Sequence, residues 1–136
     1  MSTTDSGVTQ IRVRYAETDR MGLLHHANYL VYFEQARTEF LRAQGLTYKD
    51  MEDRGFFLVI TNVEVNYKSP ARYDDVLTIH TTVARITPIR IEHQYRVTCD
   101  GRLVADAETT LACVDRAGKI QALPEWFQEA KIAGSN

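Results

Sequence analysis

ANYLVYFEQARTEFLRAQ, residues 27–44, is the stretch on which the architecture turns. It is built of helix formers, has no internal glycine or proline, and is followed by Gly45, the residue type that best takes the left-handed backbone closing a helix. One helix is therefore expected over Ala27–Gln44. Its first half, Tyr29-Leu30-Val31-Tyr32-Phe33, is apolar on nearly every side. Arg37, Glu39, Arg42 and Gln44 make the second half amphipathic. A helix start with no polar side should be enclosed.

The sequence on either side has a different period. Upstream, Thr9–Tyr15 alternates Ile11, Val13 and Tyr15 with Arg12 and Arg14, as in a half-buried strand. Downstream, Phe56–Tyr67 reads as a long strand whose apolar phase slips between Ile60 and Val63, which predicts a bulge near Thr61-Asn62. Val76–Ile86 forms the next strand and Thr87-Pro88 turns the chain. Ile89–Cys99 then places Ile91, His93, Tyr95 and Val97 on one face, and Asp100-Gly101 is a strong hairpin signal leading into Leu103–Val114. Leu123–Phe127, with Pro124 near its first turn, reads as the start of a short terminal helix. One strand, one long helix and four strands on short turns specify an α+β domain with an antiparallel sheet. Five strands curling around one long helix is the arrangement of the hotdog fold. Residues 1–136 are read as a single such domain, with its core at about residues 9–127. Sheet edges and large apolar faces are normally covered, so a homodimer with a shared sheet, or a homotetramer, is expected.

Composition narrows the function. Sixteen basic against eighteen acidic residues leave a net charge of -2, which provides no field to hold nucleic acid or an anionic membrane. Apolar runs are too short for membrane insertion, and MSTTDSG has no leader pattern, so the expected location is cytoplasmic. Cys99 and Cys113 flank the Asp100-Gly101 turn. A two-residue turn sets Cys99 against Arg102 and carries Cys113 about 35 Å along the sheet. They are read as buried packing thiols, without a disulfide, zinc or redox role.

Chemistry concentrates between the first strand and the helix, in YAETDRMGLLHHANY, residues 15–29. The residues alone leave two readings for each candidate. Asp19 caps a turn or carries the reaction, His25 and His26 pack at the helix entrance or act there, and Tyr15 fills the core or borders a pocket. A metal held by Glu17, Asp19, His25 and His26 is not expected, because adjacent histidines are not the i, i+4 ligand pair and H-E-x-x-H is absent. No cofactor is expected.

The string Y-x-E-T-D-x-x-G-x-x-H-H-A-N-Y-L-x-Y-F-E-x-A-R over residues 15–37 resembles the 4-hydroxybenzoyl-CoA thioesterase-like hotdog family, and within it the YbgC-type acyl-CoA thioesterases. Tyr67–Leu77 is similar to a second landmark of that family, and Ala122-Leu123-Pro124 to its usual ending. The resemblance runs from about Ile11 to Phe127. It implies an acyl-CoA substrate and Asp19 as the essential carboxylate, either nucleophile or general base. It also implies an oxyanion donor at His26, whose imidazole is a candidate for positioning water or the acyl group. Tyr15 would stand beside the pocket with its hydroxyl toward Asp19 or His26. Some members in bacteria associate with the Tol-Pal envelope system, and an acyl carrier is a further candidate partner.

Glu34 is the competing carboxylate, because another branch of hotdog thioesterases resembles this layout but uses an acid within the helix. An i, i+3 ion pair with Arg37 is its ordinary role. Lys68, Arg72, Arg85 and Arg90 are candidate phosphate contacts, and Tyr29, Phe33, Phe57 and Val59 candidate pocket walls. The fold also accommodates a hydroxyacyl-thioester dehydratase or a non-catalytic acyl-binding module.

Overall fold

The structure is a computed structural model and describes residues 6–127. Its elements run β1 (Ser6–Arg12), a 3-10 turn (Tyr15–Glu17), α1 (Asn28–Ala43), α2 (Tyr48–Asp53), β2 (Phe57–Tyr67), β3 (Val76–Ile86), β4 (Arg90–Cys99) and β5 (Arg102–Val114). The strands form one antiparallel sheet in the order β1-β3-β4-β5-β2, with β1 and β2 at its edges.

Alternation along the strands decides which face meets α1. On β4, Ile91, His93, Tyr95, Val97 and Cys99 are buried, while Gln94 and Arg96 between them are exposed. From the helix, Tyr29, Tyr32, Phe33 and Ala36 enter the same core as Ile11, Leu77, Ile79, Tyr95, Val97 and Val104. Phe33 stacks on Tyr95 at a ring-centroid distance of 4.5 Å. A second apolar cluster around Leu41, Met51, Ile86, Ile91 and Leu111 fills the other end of the sheet.

Several expectations hold in detail. Gly45 closes α1 at φ +85°, with its N–H on the Arg42 carbonyl. The β2–β5 register shifts between Ile60 and Asn62, where the bulge was expected. Asp100 and Gly101 both take positive φ, and Cys99 pairs with Arg102. Cys99 and Cys113 are buried free thiols, and the Cys113 N–H bonds Ile89 at the opposite end of β4.

Other expectations are corrected. The first strand spans Ser6–Arg12 rather than Thr9–Tyr15. The apolar alternation does continue through Val13, but the Glu17 carboxylate accepts the Arg14 N–H at 3.0 Å and pulls the chain into a 3-10 turn. Tyr15 is thereby turned outward and is 76% exposed rather than in the core. The start of α1 is not fully enclosed, because Leu30 and Val31 project from the side facing away from the sheet. A second helix, α2, was not foreseen. Thr47 caps it by accepting the Asp50 N–H at 3.0 Å, and Met51 buries its inner face. The expected terminal helix begins at 125–127, and its continuation lies outside the described residues.

Candidate active site

The connection from β1 to α1 folds back on itself. Thr18 bridges Leu24, the Asp19 N–H donates to the Leu23 carbonyl at 2.8 Å, and the Gly22 N–H donates to the Asp19 carbonyl at 3.0 Å. Gly22 takes φ +76°, a left-handed backbone that glycine adopts without the strain most side chains would bring. The loop is held against the segment before β3, where Leu24 N–H reaches Ala71 at 2.8 Å and Tyr73 N–H reaches Gly22 at 3.0 Å.

Asp19 sits at the turn and is exposed. Its Oδ1 accepts the Met21 N–H at 2.8 Å and the Leu23 N–H at 3.1 Å, which fixes the plane of the carboxylate. Oδ2 receives no hydrogen bond among the described residues. Asp19 thus caps the turn with one oxygen and leaves the other without a partner among the described residues.

Nine residues beyond Asp19, at Asn28, the chain enters α1. His25 N–H donates to the Glu17 carbonyl at 3.0 Å, Ala27 N–H to His25 Nδ1 at 3.2 Å, and Asn28 N–H to the His25 carbonyl at 3.0 Å. The His26 N–H between them has no acceptor among the described residues, at the end of the helix where the dipole is positive. The His26 carbonyl accepts the Tyr67 hydroxyl at 3.0 Å, and Tyr67 meets the buried Tyr29 edge-on at 5.1 Å. The last residue of β2 therefore holds the helix start in place. Burial pushes the Tyr29 phenol up to about 12, so it stays protonated at neutral pH. The exposed imidazoles of His25 and His26 stack at 4.2 Å.

Glu17 is the one acidic side chain buried among the described residues. Oε1 accepts the Tyr32 hydroxyl at 2.6 Å and the Arg14 N–H at 3.0 Å, and Oε2 accepts Arg14 Nη2 at 3.0 Å. Burial pushes its carboxyl up, but the hydrogen bonds from Arg14 and Tyr32 outweigh it and hold the group below the usual carboxylate range.

The remaining candidates separate. Tyr15 stands edge-on to Tyr73 at 5.6 Å, and its hydroxyl bonds neither Asp19 nor His26. The Glu34–Arg37 ion pair does not form, because Arg37 is turned into the core and bonds the Tyr95 hydroxyl at 3.2 Å while Glu34 stays exposed. Arg72 belongs to the strand segment bridging Leu23, and Lys68 follows Tyr67, so both border the site. Arg85 pairs with Glu92 at 3.8 Å, and like Arg90 it lies by the β3–β4 turn, about 30 Å along the sheet from the Asp19 end of the same chain. Phe57 and Val59 start β2 at the end remote from Tyr67, and Phe33 fills the core rather than lining a pocket. Of the four expected pocket walls, Tyr29 borders the site on this chain. Glu17 and Tyr67 were not singled out as site residues. Glu17 gave no signal beyond its place in the motif, and Tyr67 looked like a strand end.

Among the described residues no group of three or more histidines, cysteines or acids converges as a metal site, and no helix is long and apolar enough to cross a membrane. The family model of the thioesterase-like superfamily matches residues 13–130. The acyl-CoA thioester hydrolase YbgC of Escherichia coli O6:H1 is 33% identical over 117 residues, covering 85% of this chain and 87% of that protein. The acyl-CoA thioesterase YbgC of Haemophilus influenzae is 33% identical over 106 residues, covering 77% and 78%. Among solved structures, a DHNA-CoA thioesterase from Staphylococcus aureus superposes with a TM-score of 0.87 at 32% identity, covering 94% of this chain and 87% of that one. Sequence and fold agree, and the chain belongs to the thioesterase-like superfamily of hotdog thioester hydrolases.

Proposed function

We propose that this protein hydrolyses acyl-CoA to a free acid and coenzyme A at the turn that carries Asp19. The observation behind this reading is a carboxylate with Oδ1 fixed by two N–H groups and Oδ2 unengaged, on the loop that ends at the unpaired His26 N–H. Thioester hydrolysis needs those two elements, an oxygen delivered to the carbonyl carbon and a donor where the carbonyl oxygen becomes negative. Asp19 Oδ2 serves by attacking the carbon to form a mixed anhydride, or by taking a proton from the attacking water. In either route the His26 N–H receives the oxyanion and the coenzyme A thiolate departs; in the first, water then cleaves the anhydride to the free acid and restores Asp19, and in the second the proton on Asp19 passes to the departing thiolate. In this reading the His26 imidazole orients water, and Tyr15 with Tyr73, edge-on at 5.6 Å, forms an aromatic wall beside the loop.

The reading includes a homodimer. The edge strand β2 has an unpaired side, and Val59, Ile60, Leu30 and Val31 are exposed large apolar residues. It also places the reaction in the cytoplasm, in keeping with two free thiols.

The test is a panel of short, long-chain and aromatic acyl-CoAs, followed by free-thiol release with enoyl product monitored in parallel. Thiol release supports hydrolysis. Enoyl formation, or saturable binding without turnover, contradicts it in favour of a dehydratase or an acyl-binding module.

A further inference from the structure

Glu17 stands two residues before Asp19 and takes part in neither route. Five hydrogen bonds converge on it. Its carboxylate accepts the Arg14 N–H, Arg14 Nη2 and the Tyr32 hydroxyl, and its carbonyl accepts the His25 N–H at 3.0 Å and Asn28 Nδ2 at 2.9 Å. Those donors lie on both sides of the site. Arg14 comes from the exit of β1, Tyr32 from α1 one turn past its start, and His25 and Asn28 bracket His26.

A loop that merely joined a strand to a helix would fill this volume with an apolar side chain. Burying a carboxylate is unfavourable unless donors surround it. Here the donors come from the elements whose separation fixes where Asp19 stands relative to the His26 N–H. We propose that Glu17 is a positioning residue for the hydrolysis, locking the Asp19 turn to the first turns of α1. This rests on the reading of Asp19 as the reacting carboxylate. Displacing a reacting group by about 1 Å costs on the order of a hundredfold in rate, so a lock of this kind acts on turnover more than on substrate binding.

The experiment compares the wild-type protein with Glu17→Gln, Glu17→Ala, Tyr32→Phe and Asp19→Asn, using an acyl-CoA that the wild type hydrolyses. Steady-state thiol release is measured well below each variant's unfolding temperature. Glu17→Ala is expected to lower kcat about 10- to 100-fold with KM within about threefold. Glu17→Gln should recover part of that loss, since its amide oxygen can still accept the Arg14 N–H and the Tyr32 hydroxyl. Tyr32→Phe should fall in the same direction as Glu17→Ala by a smaller factor. If Glu17→Ala does not fold, the Gln and Phe variants carry the test. Folded Glu17 and Tyr32 variants with kcat within twofold of wild type, beside an inactive Asp19→Asn, overturn the positioning role and leave the Asp19 reading intact. Full activity in Asp19→Asn overturns that reading instead.

Discussion

Inside the layer between α1 and the sheet, Arg37 Nη1 donates to the Tyr95 hydroxyl at 3.2 Å, and that hydroxyl shares a 2.8 Å hydrogen bond with Thr109. Around this pair, Arg37 Nε, Thr81 Oγ1 and His93 Nδ1 are buried without a partner among the described residues. The layer separates the two apolar clusters and makes the core sensitive to acid. Burial, and after it the Arg37 charge, lowers the His93 pKa from 6.5 to about 3. The unfolded chain takes a proton at this residue below pH 6.5, whereas the folded chain does so only near pH 3. The stability at stake is therefore complete above pH 6.5 and is lost as pH falls towards 3, by about 1.4 kcal/mol per pH unit. Urea unfolding at pH 7 and pH 5 should show the wild type losing about 2 kcal/mol more than His93→Leu between the two. Equal losses would contradict this account of the core.

Phe33 is fully buried and stacked on Tyr95, where α1 meets the middle of the sheet. Phe33→Ala should cost about 3–5 kcal/mol in denaturant unfolding, through lost burial and the cavity left behind. A cost under about 1 kcal/mol would mean that this stack does not anchor the helix.

The unpaired edge of β2 and the exposed Val59, Ile60, Leu30 and Val31 predict at least two chains per particle in light scattering. Ile60→Lys should shift the particle towards a single chain. A monomer at micromolar concentration in the wild type would contradict the shared sheet.

Periodicity made the sheet legible, because β3, β4 and β5 alternate buried with more exposed positions. It also carried Asp100-Gly101, the β2 bulge and Gly45, where local chemistry dictates the backbone. The end of β1 was misread because Val13 keeps the strand's alternation, while the turn after it is set by Glu17, three residues beyond Arg14. The helix α2 is only six residues long, too short for an apolar period to show, although Thr47 and Asp50 carry its cap. Motif reading singled out Asp19 and His26 as candidates. It gave no sign that Arg37 turns inward rather than towards Glu34, or that Tyr67 reaches the His26 carbonyl, since both depend on contacts between distant elements.

Asp19, and not Glu34, is the carboxylate we propose to react. Both are exposed, but Asp19 alone stands on the loop leading to the His26 N–H, while Glu34 projects from α1 on the same side as Leu30. The most direct measurement is thiol release from acyl-CoA by Asp19→Asn and Glu34→Gln, side by side with the wild type and with fold checked by circular dichroism. Asp19→Asn should lose at least about a thousandfold in kcat, while Glu34→Gln stays within about threefold of wild type. Full activity in Asp19→Asn, or its loss in Glu34→Gln, would contradict the assignment of Asp19 as the reacting group.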